Sequence, residues 1–567
     1  MKWVGRFAAG LIALVVIGVA AFVFLIDPPG PPPFVEKAPD PEGRPNILVL
    51  MAEDLSPRWG SFGDPMAVTP NIDALAKRGT RYPNTFTTAG VCAPSRAALI
   101  TGMHQGATGT QHMRTSNRGY KAVPPESVKA FPELMRAAGY YTYTGEKLDY
   151  QFSGIRAGTG PFTIWDDEGE RAHWRKRSDG QPFFALDNFE VTHESGLFAP
   201  LGHWPRSALH LAIQLYRHHL YGPIDEIDQI DPAAIPLPPI YPDVEAVRRD
   251  FARHYANIAR FDTQVGETVR MLEQDGLAQN TILIITTDHG DGLPRAKREL
   301  TDAGIRVPMI VVWPDRWRPA NAPPGSVDER LVSFVDLAPT LLHLGGVDVP
   351  RHMQGRDFVT GPRRQHIFAA RDRVDDYVNR QRAVRGPRFK YIANDLPGSV
   401  GGHRGAFRDH LDSMRAMRDL YEAGKLDPVQ ARWFEPTPAE QLYDTKADPY
   451  ETNNLIGDPR YAAIRRRLRS ALDDWRARMG PLFDLDEDAM IKAIADDDGN
   501  QRVTPPPAID ETGGTITLTA ENNASIGYRW GDGPWQLYTA PFQARPRARL
   551  EAKAVRYGWA ESDVVRR

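Results

Sequence analysis

Four apolar runs in the first half of the chain end abruptly in polar or ionisable residues. The runs cover residues 46–52, 140–144, 182–186 and 281–287. The first and last are nearly continuous stretches of aliphatic and β-branched residues, a pattern typical of strands that are buried on both faces. We therefore predict a mainly parallel sheet that carries polar residues at the ends of its strands.

Helical patterns alternate with these apolar runs. Amphipathic segments at residues 71–78, 128–138 and 244–274 predict helices on the faces of the sheet, and the alternation is typical of an α/β fold. In open sheets of this kind, ligands bind beyond the carboxyl ends of the strands. Six polar residues follow the runs and are expected to converge there: Glu53, Asp54, Lys147, His193, Asp288 and His289.

The pattern changes after about residue 350. Candidate strands at 366–371 and 389–393 and a basic amphipathic helix at 461–479 predict a smaller α+β subdomain. Short strand-like segments then follow the prolines at 505–507, and their spacing predicts a small β-sandwich. These segments are residues 515–519, 526–530, 535–538 and 550–555.

The first residues of the chain predict export. Lys2 and Arg6 precede an apolar stretch at residues 7–26, and a proline-rich linker at 28–43 follows. A stretch of roughly 20 apolar residues matches the length that crosses a bilayer and exceeds the core of about 7–15 in a usual signal peptide. Without a clear cleavage site, an uncleaved inner-membrane anchor is favoured, and a cleaved signal peptide is the alternative. The body of the protein is expected in the periplasm or at the cell surface.

Composition narrows the function further. Charged residues make up 25% of the 567 residues and sum to a net charge of -3, which excludes the basic footprint of a nucleic-acid-binding protein. Cys92 is the single cysteine. Exported proteins often carry disulfides, but one cysteine cannot form an intramolecular one. The presence of Cys92 therefore needs an explanation other than a disulfide bond within the chain.

Cys92 stands directly before a predicted helix. Pro94 suits the first turn of this helix, and Gly102 is a suitable end for it. The free amide groups and the positive end of the helix dipole would then favour an anion at residue 92. This position suits a reactive thiolate or a bound oxyanion. The segment reads Cys92-Ala93-Pro94-Ser95-Arg96-Ala97-Ala98-Leu99-Ile100-Thr101-Gly102.

This segment resembles the C-x-P-S-R-x-x-L-x-T-G signature of the type I, formylglycine-dependent sulfatases, which belong to the alkaline phosphatase superfamily. Residues 69–76 and 440–455 are also similar to family segments, so the resemblance covers roughly residues 44–480. It implies an alkaline-phosphatase-like sheet flanked by helices in a catalytic domain at 44–350, with a C-terminal subdomain at 351–485. A linker at 486–507 and an accessory β-sandwich at 508–567 complete the predicted organisation.

The resemblance also implies the chemistry. In this family a formylglycine-generating enzyme oxidises the signature cysteine, here Cys92, to an aldehyde whose hydrate attacks sulfur and forms a covalent intermediate. Because sulfuryl transfer moves a charged tetrahedral group, positioned cations are expected to dominate catalysis. Oxygen-rich ligands suit Ca²⁺, with Mg²⁺ as an alternative. The expected metal ligands are Glu53, Asp54, modified Cys92, Asp288 and His289.

Four further residues match functional positions of the family. Arg96 is expected to hold the modified cysteine, Lys147 and Lys297 to bind sulfate oxygens, and His193 to protonate the leaving group with a pKa suited to acid catalysis near neutrality. Arg298 is the neighbour with which Lys297 could be confused.

Three positions depart from the usual family pattern. Glu53 stands where the first of two aspartates is usual, and His289 stands where asparagine is common. Asp149 replaces a histidine that supports the nucleophile in many sulfatases. The sequence Lys147-Leu148-Asp149-Tyr150 resembles a bacterial branch similar to heparan N-sulfatase, so a sulfated carbohydrate of the heparan type is the expected substrate, as an O-sulfate or an N-sulfate.

Two other functions stay open at this stage. A phosphonate or phosphate monoester hydrolase of the same superfamily would share the metal site and formylglycine. An inactive, surface-anchored glycan-binding protein would keep Cys92 as a thiol.

Overall fold

A computed structural model describes residues 30–40, 43–222 and 230–567 of the chain. The apolar segment at 7–26, predicted to be a membrane anchor, lies outside these residues. Among the helices of the described part, none combines the length and the apolar character needed to cross a bilayer.

Residues 43–222 and 230–350 form the predicted α/β domain. Its strands are β1 (Asn46–Ala52), β2 (Thr80–Arg81), β3 (Thr85–Phe86), β4 (Tyr141–Thr144), β5 (Asp167–Glu168), β6 (Phe183–Phe189), β7 (Thr281–Thr287), β8 (Arg306–Val307), β9 (Ile310–Val312) and β10 (Val332–Ser333). Its α-helices are α1 (Pro70–Arg78), α2 (Cys92–Thr101), α3 (Gln105–Thr108), α4 (Phe131–Ala137), α5 (Ala208–Tyr221), α6 (Glu245–Gln274), α7 (Asp302–Ile305) and α8 (Leu337–Leu344).

The main sheet is mixed and mostly parallel, as predicted. Its strand order is β2-β9-β7-β1-β6-β4-β5, and a small sheet of β10, β3 and β8 lies apart from it. β1, β4, β5, β6 and β7 pair in parallel, whereas β9 pairs antiparallel with β7 and with β2. The four apolar runs of the sequence are therefore four adjacent parallel strands at the centre of the sheet.

Helices cover both faces of this sheet. Alternate side chains of a strand point to opposite faces, so a wholly apolar strand places apolar side chains on each face that must be covered. Leu48 and Leu50 of β1 belong to one hydrophobic core together with Phe261 of α6. Ile47 and Val49 belong to a second core, which includes residues of α2, α4 and α8. β1 is buried along its whole length, so the continuous apolar run reflects burial on two sides.

The second half of the chain forms a subdomain and a C-terminal sandwich. Its strands are β11 (Ile367–Arg371), β12 (Gln381–Arg385), β13 (Phe389–Asn394), β14 (Glu440–Asp444), β15 (Ala508–Thr512), β16 (Thr515–Thr519), β17 (Ser525–Trp530), β18 (Gln536–Leu537), β19 (Phe542–Gln543), β20 (Leu550–Val555) and β21 (Val565–Arg566). Its helices are α9 (Asp412–Glu422), α10 (Pro428–Ala431), α11 (Ala462–Arg476) and α12 (Glu487–Ile494).

The subdomain is an antiparallel sheet, β11-β12-β13-β14, on which α11 packs. The sequence did not predict β12, because apolar and polar residues do not alternate regularly in Gln381-Arg382-Ala383-Val384-Arg385. Arg382 is nevertheless buried, and its guanidinium donates two hydrogen bonds to the carboxylate of Asp372. Two of the sequence-predicted elements are shorter in the structure: the helix at 128–138 is Phe131–Ala137, with proline in its first turn, and the helix at 461–479 is Ala462–Arg476.

The tail consists of two antiparallel sheets around one small core. One sheet has the order β15-β16-β19 and the other β18-β17-β20-β21. Ile516 and Leu518 of the first sheet share a core with Ile526 and Leu550 of the second. The predicted β-sandwich is thus present. The segment at 486–507, expected to be a linker, contains α12, whose Glu487 forms an ion pair with Arg373 of the subdomain.

Candidate active site

Two acidic strand ends lie side by side at the carboxyl edge of the main sheet. β1 and β7 are parallel neighbours with Ala52 opposite Thr287, so the residues that follow the two strands emerge together. The backbone N–H of Asp54 donates a hydrogen bond of 3.2 Å to Oδ1 of Asp288. The convergence expected from the sheet topology is present.

Cys92 is brought to the same edge by helix α2. The cysteine is the first residue of the helix, not the residue before it as the sequence suggested, and Pro94 lies in the first turn. The hydroxyl of Ser95 donates to the carbonyl of Asp288 at 2.6 Å, which fixes the start of the helix to the end of β7. Gly102 ends the helix with a φ of 66°, a left-handed conformation that glycine adopts readily.

The thiol of Cys92 lies inside the acidic cluster. Its Sγ is 3.2 Å from Nε2 of His289 and 3.9 Å from Oδ1 of Asp54. Ligand atoms of Asp54, Cys92, Asp288 and His289 all lie within 4.8 Å of one another, and Glu53, Asp54, Cys92 and His193 form a second such group. The five residues predicted as metal ligands are therefore neighbours.

The donor atoms of this cluster fit a hard divalent cation. Glu53, Asp54 and Asp288 are fully buried. Oε1 of Glu53 and Oδ2 of Asp288 accept no hydrogen bond from the residues that the structure describes, although buried carboxylate oxygens normally have partners. Several carboxylate oxygens held close together without enough donors are suited to Ca²⁺ or Mg²⁺. Glu53 lies in the cluster despite its departure from the usual aspartate.

Two buried lysines flank the cluster on either side. Nζ of Lys147 is 2.7 Å from Oε2 of Glu53, and Nζ of Lys297 is 2.5 Å from Oδ2 of Asp54. Burial lowers the pKa of both lysines, but the surrounding negative charges outweigh it and hold both pKa values above the usual range. Both ammonium groups are therefore charged, and each is paired with a carboxylate of the cluster.

The guanidinium of Arg96 lies beside the cluster, between the Lys147 segment and Asp288. Its Nε donates to the carbonyl of Leu148 at 3.0 Å, and its Nη2 donates to Oδ1 of Asn188 at 2.5 Å. Its Nη1 lies 3.7 Å from Oδ2 of Asp288. In this structure Arg96 thus fixes the segment that carries Lys147 and adds positive charge behind Asp288.

His193 lies at the edge of the cluster and is partly exposed. Its Nε2 is 4.0 Å from Oε2 of Glu53, and its Nδ1 is 2.9 Å from the hydroxyl of Ser195. Burial and the nearby Lys297 hold the pKa of His193 well below its usual value. The sequence-based expectation of a pKa near neutrality is wrong for this arrangement, because the sequence does not show how close Lys297 comes.

The carboxylates respond differently to burial. Burial raises the pKa of Glu53 to about 7, against the opposing charge of Lys147. Burial also tends to raise the pKa of Asp54, but Lys297 and His289 hold it well below the usual range. The pKa of His289 is about 10, because Asp288 and Asp54 outweigh the effect of its burial. Lys147, Lys297 and the protonated His289 therefore balance the negative charge of these carboxylates.

Three residues of the site were not assigned by the sequence. The backbone N–H of Glu194 donates to Oδ2 of Asp54 at 2.6 Å, and its carboxylate accepts a hydrogen bond from Arg298. Asn188 connects Arg96 to the carbonyl of Lys147. Nε of Arg114 lies 3.6 Å from Asp149. The position of Glu194 next to His193 in the sequence could have indicated that it belongs to the site. The positions of Asn188 and Arg114 depend on packing between distant segments.

Comparison with known proteins decides the family. A family model described as Sulfatase matches residues 45–347 of the chain. An ulvan-active sulfatase of Formosa agariphila is 38% identical over 557 residues, which is 92% of this chain and 91% of the relative. The chain belongs to the sulfatase family. It is a sulfatase with the alkaline-phosphatase-like fold, as the resemblance implied.

Other relatives extend the similarity of this sulfatase. Human N-sulphoglucosamine sulphohydrolase is 26% identical over 477 residues, covering 76% of the chain and 89% of the relative. A solved 2-O GAG sulfatase aligns with a TM-score of 0.53 and 21% identity over 77% of the chain and 92% of that structure. A phosphonate monoester hydrolase from Silicibacter pomeroyi aligns with a TM-score of 0.52 and 18% identity, over 78% of this chain and 96% of that structure. The fold alone thus does not separate the two activities, whereas the sequence relationship does.

Proposed function

We propose that this sulfatase hydrolyses a sulfate ester or a sulfamate on a sulfated polysaccharide, using formylglycine made from Cys92 and a divalent cation. The observation that carries the proposal is the position of Cys92 at the start of α2, with Asp54 and His289 beside its Sγ. The names of the similar proteins refer to ulvan and to N-sulphoglucosamine, which supports a sulfated carbohydrate as substrate.

Glu53, Asp54, Asp288 and His289 would hold the cation, together with the modified side chain of Cys92. The hydrated aldehyde supplies a nucleophilic oxygen, and the cation supplies positive charge for the sulfate oxygens. Cation binding would also neutralise the buried carboxylates, so that Lys147 and Lys297 become free to bind sulfate.

Lys147 and Lys297 approach the cluster from different chain segments and bear full charges, so we assign them to the sulfate oxygens. Their positive charge stabilises the negative charge of the transferred group in the transition state. Asn188 and Arg96 hold the Lys147 segment in place through its carbonyls.

We assign proton donation to the leaving group to His193. A bound sulfate ester carries negative charge, which raises the pKa of a nearby imidazole and opposes the effect of Lys297. The contact of Nδ1 with Ser195 orients the ring and leaves Nε2 directed to the cluster. His193 would thus become a competent acid only once the substrate is bound.

The test is expression of the full chain with and without a formylglycine-generating enzyme. Mass spectrometry of the Cys92 peptide should show the aldehyde only in the co-expressed protein, and sulfate release from ulvan or from N-sulfated glucosamine should follow conversion. The variant Cys92→Ala should lose at least about 10³-fold in kcat/KM. The unconverted wild-type protein is the matched control.

Two results would overturn the proposal. One is an unmodified thiol after co-expression, which would favour a glycan-binding protein without catalytic activity. The other is a clear preference of the converted protein for phenyl phosphonate over aryl sulfate, which would make it a phosphonate hydrolase.

A further inference from the structure

A basic cavity lies at the opposite end of helix α2 from Cys92. The helix ends at Thr101, and His104, three residues further on, lines a cavity of about 660 Å³ between the α/β domain and the subdomain. A helix of this length rises about 15 Å from its first residue to its last. The cavity is therefore remote from the cluster around Cys92.

Arginine side chains dominate the lining, and we refer to this space as the arginine cavity. Its charged lining residues are Arg356, Arg363, Arg364, Arg478 and Asp474. Arg364 forms an ion pair with Asp336, and its Nε donates a hydrogen bond of 2.6 Å to that carboxylate. In the described part of the chain, the side chains of the other three arginines make no ion pair or hydrogen bond. Three solvent-exposed guanidinium groups thus surround one cavity, and no described protein group accepts hydrogen bonds from them.

The wall of the arginine cavity is aromatic. Trp475 stacks on Phe368 with ring centroids 5.3 Å apart, and the ring of His104 meets the edge of Trp475 at 5.3 Å. Trp475 is 2% exposed and His104 is 4% exposed. Nε1 of Trp475 and Nδ1 of His104 have no hydrogen-bond partner within the described residues.

The charge of the lining points to a ligand. Nε1 of Trp475 and Nδ1 of His104 are shielded from solvent, so the guanidinium groups form the polar surface of the cavity. Burial and two nearby arginines lower the pKa of His104 to about 3, so its ring is neutral and carries a single N–H. An oxygen-rich ligand in the cavity would supply acceptors to the guanidinium groups.

The arginines are not needed to complete helix α2. The carbonyl of Gly102, at the end of the helix, already accepts hydrogen bonds from the backbone N–H groups of Gln354 and Gly355 at 2.9 and 3.1 Å. The position of the arginines near this helix end is electrostatically favourable, but it leaves their donors unused. Anion binding accounts for both the charge and the unused donors.

We propose that the arginine cavity is a second, non-catalytic binding site for a sulfated glycan chain. The choice of ligand rests on the proposed function, since a polymer that presents sulfate at the cluster around Cys92 carries further sulfate groups along its length. Guanidinium groups bind such oxygens in a planar, two-pronged geometry. Binding of a second segment raises the effective concentration of the chain at the catalytic centre.

The proposal is tested on the full chain carrying Cys92→Ala, which prevents turnover. We compare the double variant Arg363→Gln/Arg478→Gln with the control Arg466→Gln/Arg547→Gln, which removes two exposed arginines outside the cavity. Both pairs change the net charge equally. Titration calorimetry with dextran sulfate should show about tenfold weaker binding for the cavity pair and a change of less than about twofold for the control. Unsulfated dextran should not bind.

Several outcomes would make the proposal wrong. They are unchanged binding in the cavity pair, equal losses in both pairs, and displacement of the polymer by sodium sulfate at the same sulfate concentration, which would indicate a site for the free ion. Binding of phosphatidylglycerol vesicles through Arg363 and Arg478, without an effect on dextran sulfate, would assign the cavity to a membrane surface.

A kinetic measurement separates this proposal from the proposed function. In the converted enzyme, Arg363→Gln/Arg478→Gln should raise the KM for a sulfated polysaccharide about tenfold and leave kcat and the hydrolysis of a small aryl sulfate unchanged. If no sulfate is released from any substrate, the proposed function fails, while the calorimetric test of the cavity still stands.

Discussion

Lys297 Nζ lies 2.5 Å from Oδ2 of Asp54, whereas the next residue, Arg298, is held between two other carboxylates. Arg298 donates to Glu194 at 2.8 Å and to Asp375 at 2.8 Å. The two adjacent cations therefore have different closest partners, although Nζ of Lys297 also lies 3.7 Å from Oε2 of Glu194. Lys297 belongs to the cluster around Cys92, and Arg298 connects the loop that follows β7 to the subdomain.

This difference predicts distinct effects for the two variants. Lys297→Ala should lower kcat/KM for a sulfate ester by about 10²–10³-fold, because it removes a charge that stabilises the transferred group. Arg298→Ala should instead lower the free energy of unfolding by about 2–4 kcal/mol, because it removes both hydrogen bonds to the buried carboxylate of Glu194 and leaves it only the more distant Lys297. Steady-state kinetics and chemical unfolding of both variants check the prediction. Lys297→Arg serves as the charge-preserving control, and equal kinetic losses in the two alanine variants would contradict it.

The acidic cluster predicts stabilisation by Ca²⁺. A cation that binds only the folded protein adds about 2.7 kcal/mol at a hundred times its Kd, so the Tm should rise by several degrees. Asp288→Asn should abolish most of this rise, because Oδ2 of Asp288 is a proposed ligand atom and accepts no hydrogen bond within the described part of the chain. The exposed substitution Asp497→Asn is the control. Thermal unfolding with EDTA, Ca²⁺ and Mg²⁺ measures the effect. A Tm that is the same with Ca²⁺ and with EDTA would argue against a cation site at the acidic cluster.

Asp187 on β6 predicts a pH dependence of stability. Burial raises its pKa to about 7, and the hydrogen bond from the hydroxyl of Tyr143 at 3.3 Å only partly opposes this shift. The unfolded chain has an aspartate pKa near 3.9. Between about pH 4 and 7 the folded protein thus holds a proton that the unfolded chain has lost, so this group's contribution to stability falls as the pH rises.

The variant Asp187→Asn should remove this contribution. It should be more stable than the wild type by about 1–2 kcal/mol at pH 8 and nearly as stable as the wild type at pH 4.5. The difference at pH 8 is small because solvent reaches the partly exposed carboxyl group of Asp187. Chemical unfolding at the two pH values provides the measurement. A stability difference that is the same at both pH values would show that Asp187 does not titrate in this range.

Glu133 of α4 connects the C-terminal sandwich to the α/β domain. It is buried and accepts hydrogen bonds from Ser525 at 2.5 Å, from Tyr557 at 2.8 Å and from Thr163 at 2.5 Å. Glu133→Ala should weaken this interface by about 2–4 kcal/mol, since it leaves three hydroxyl groups without their acceptor. Limited proteolysis should then release a fragment from the proline-rich region at 505–507 sooner than in the wild type.

The exposed Glu126, which lies near the same interface, provides the control Glu126→Ala. Equal rates of fragment release for the two variants and the wild type would mean that the apolar contacts alone hold the sandwich. The stacked rings of Phe152 and Tyr557, with centroids 5.0 Å apart, are one such contact.

Much of the fold could be predicted because its signals are local. Continuous apolar runs marked the parallel strands, since burial on both faces excludes polar residues. The short strands β3, β8 and β10 gave no such signal, because two residues carry too little pattern. β12 was missed for another reason, since ion pairing buries Arg382 at a position that reads as polar.

The sequence by itself determined the sheet, the start of α2 near Cys92 and the residues that gather around it, because strand ends of a parallel sheet must meet at one edge. Only the tertiary structure decided how these groups are paired. It separated Lys297 from Arg298, placed Arg96 behind the Lys147 segment and lowered the pKa of His193. Charge pairing and desolvation depend on distances between segments far apart in the chain, and no local pattern encodes those distances.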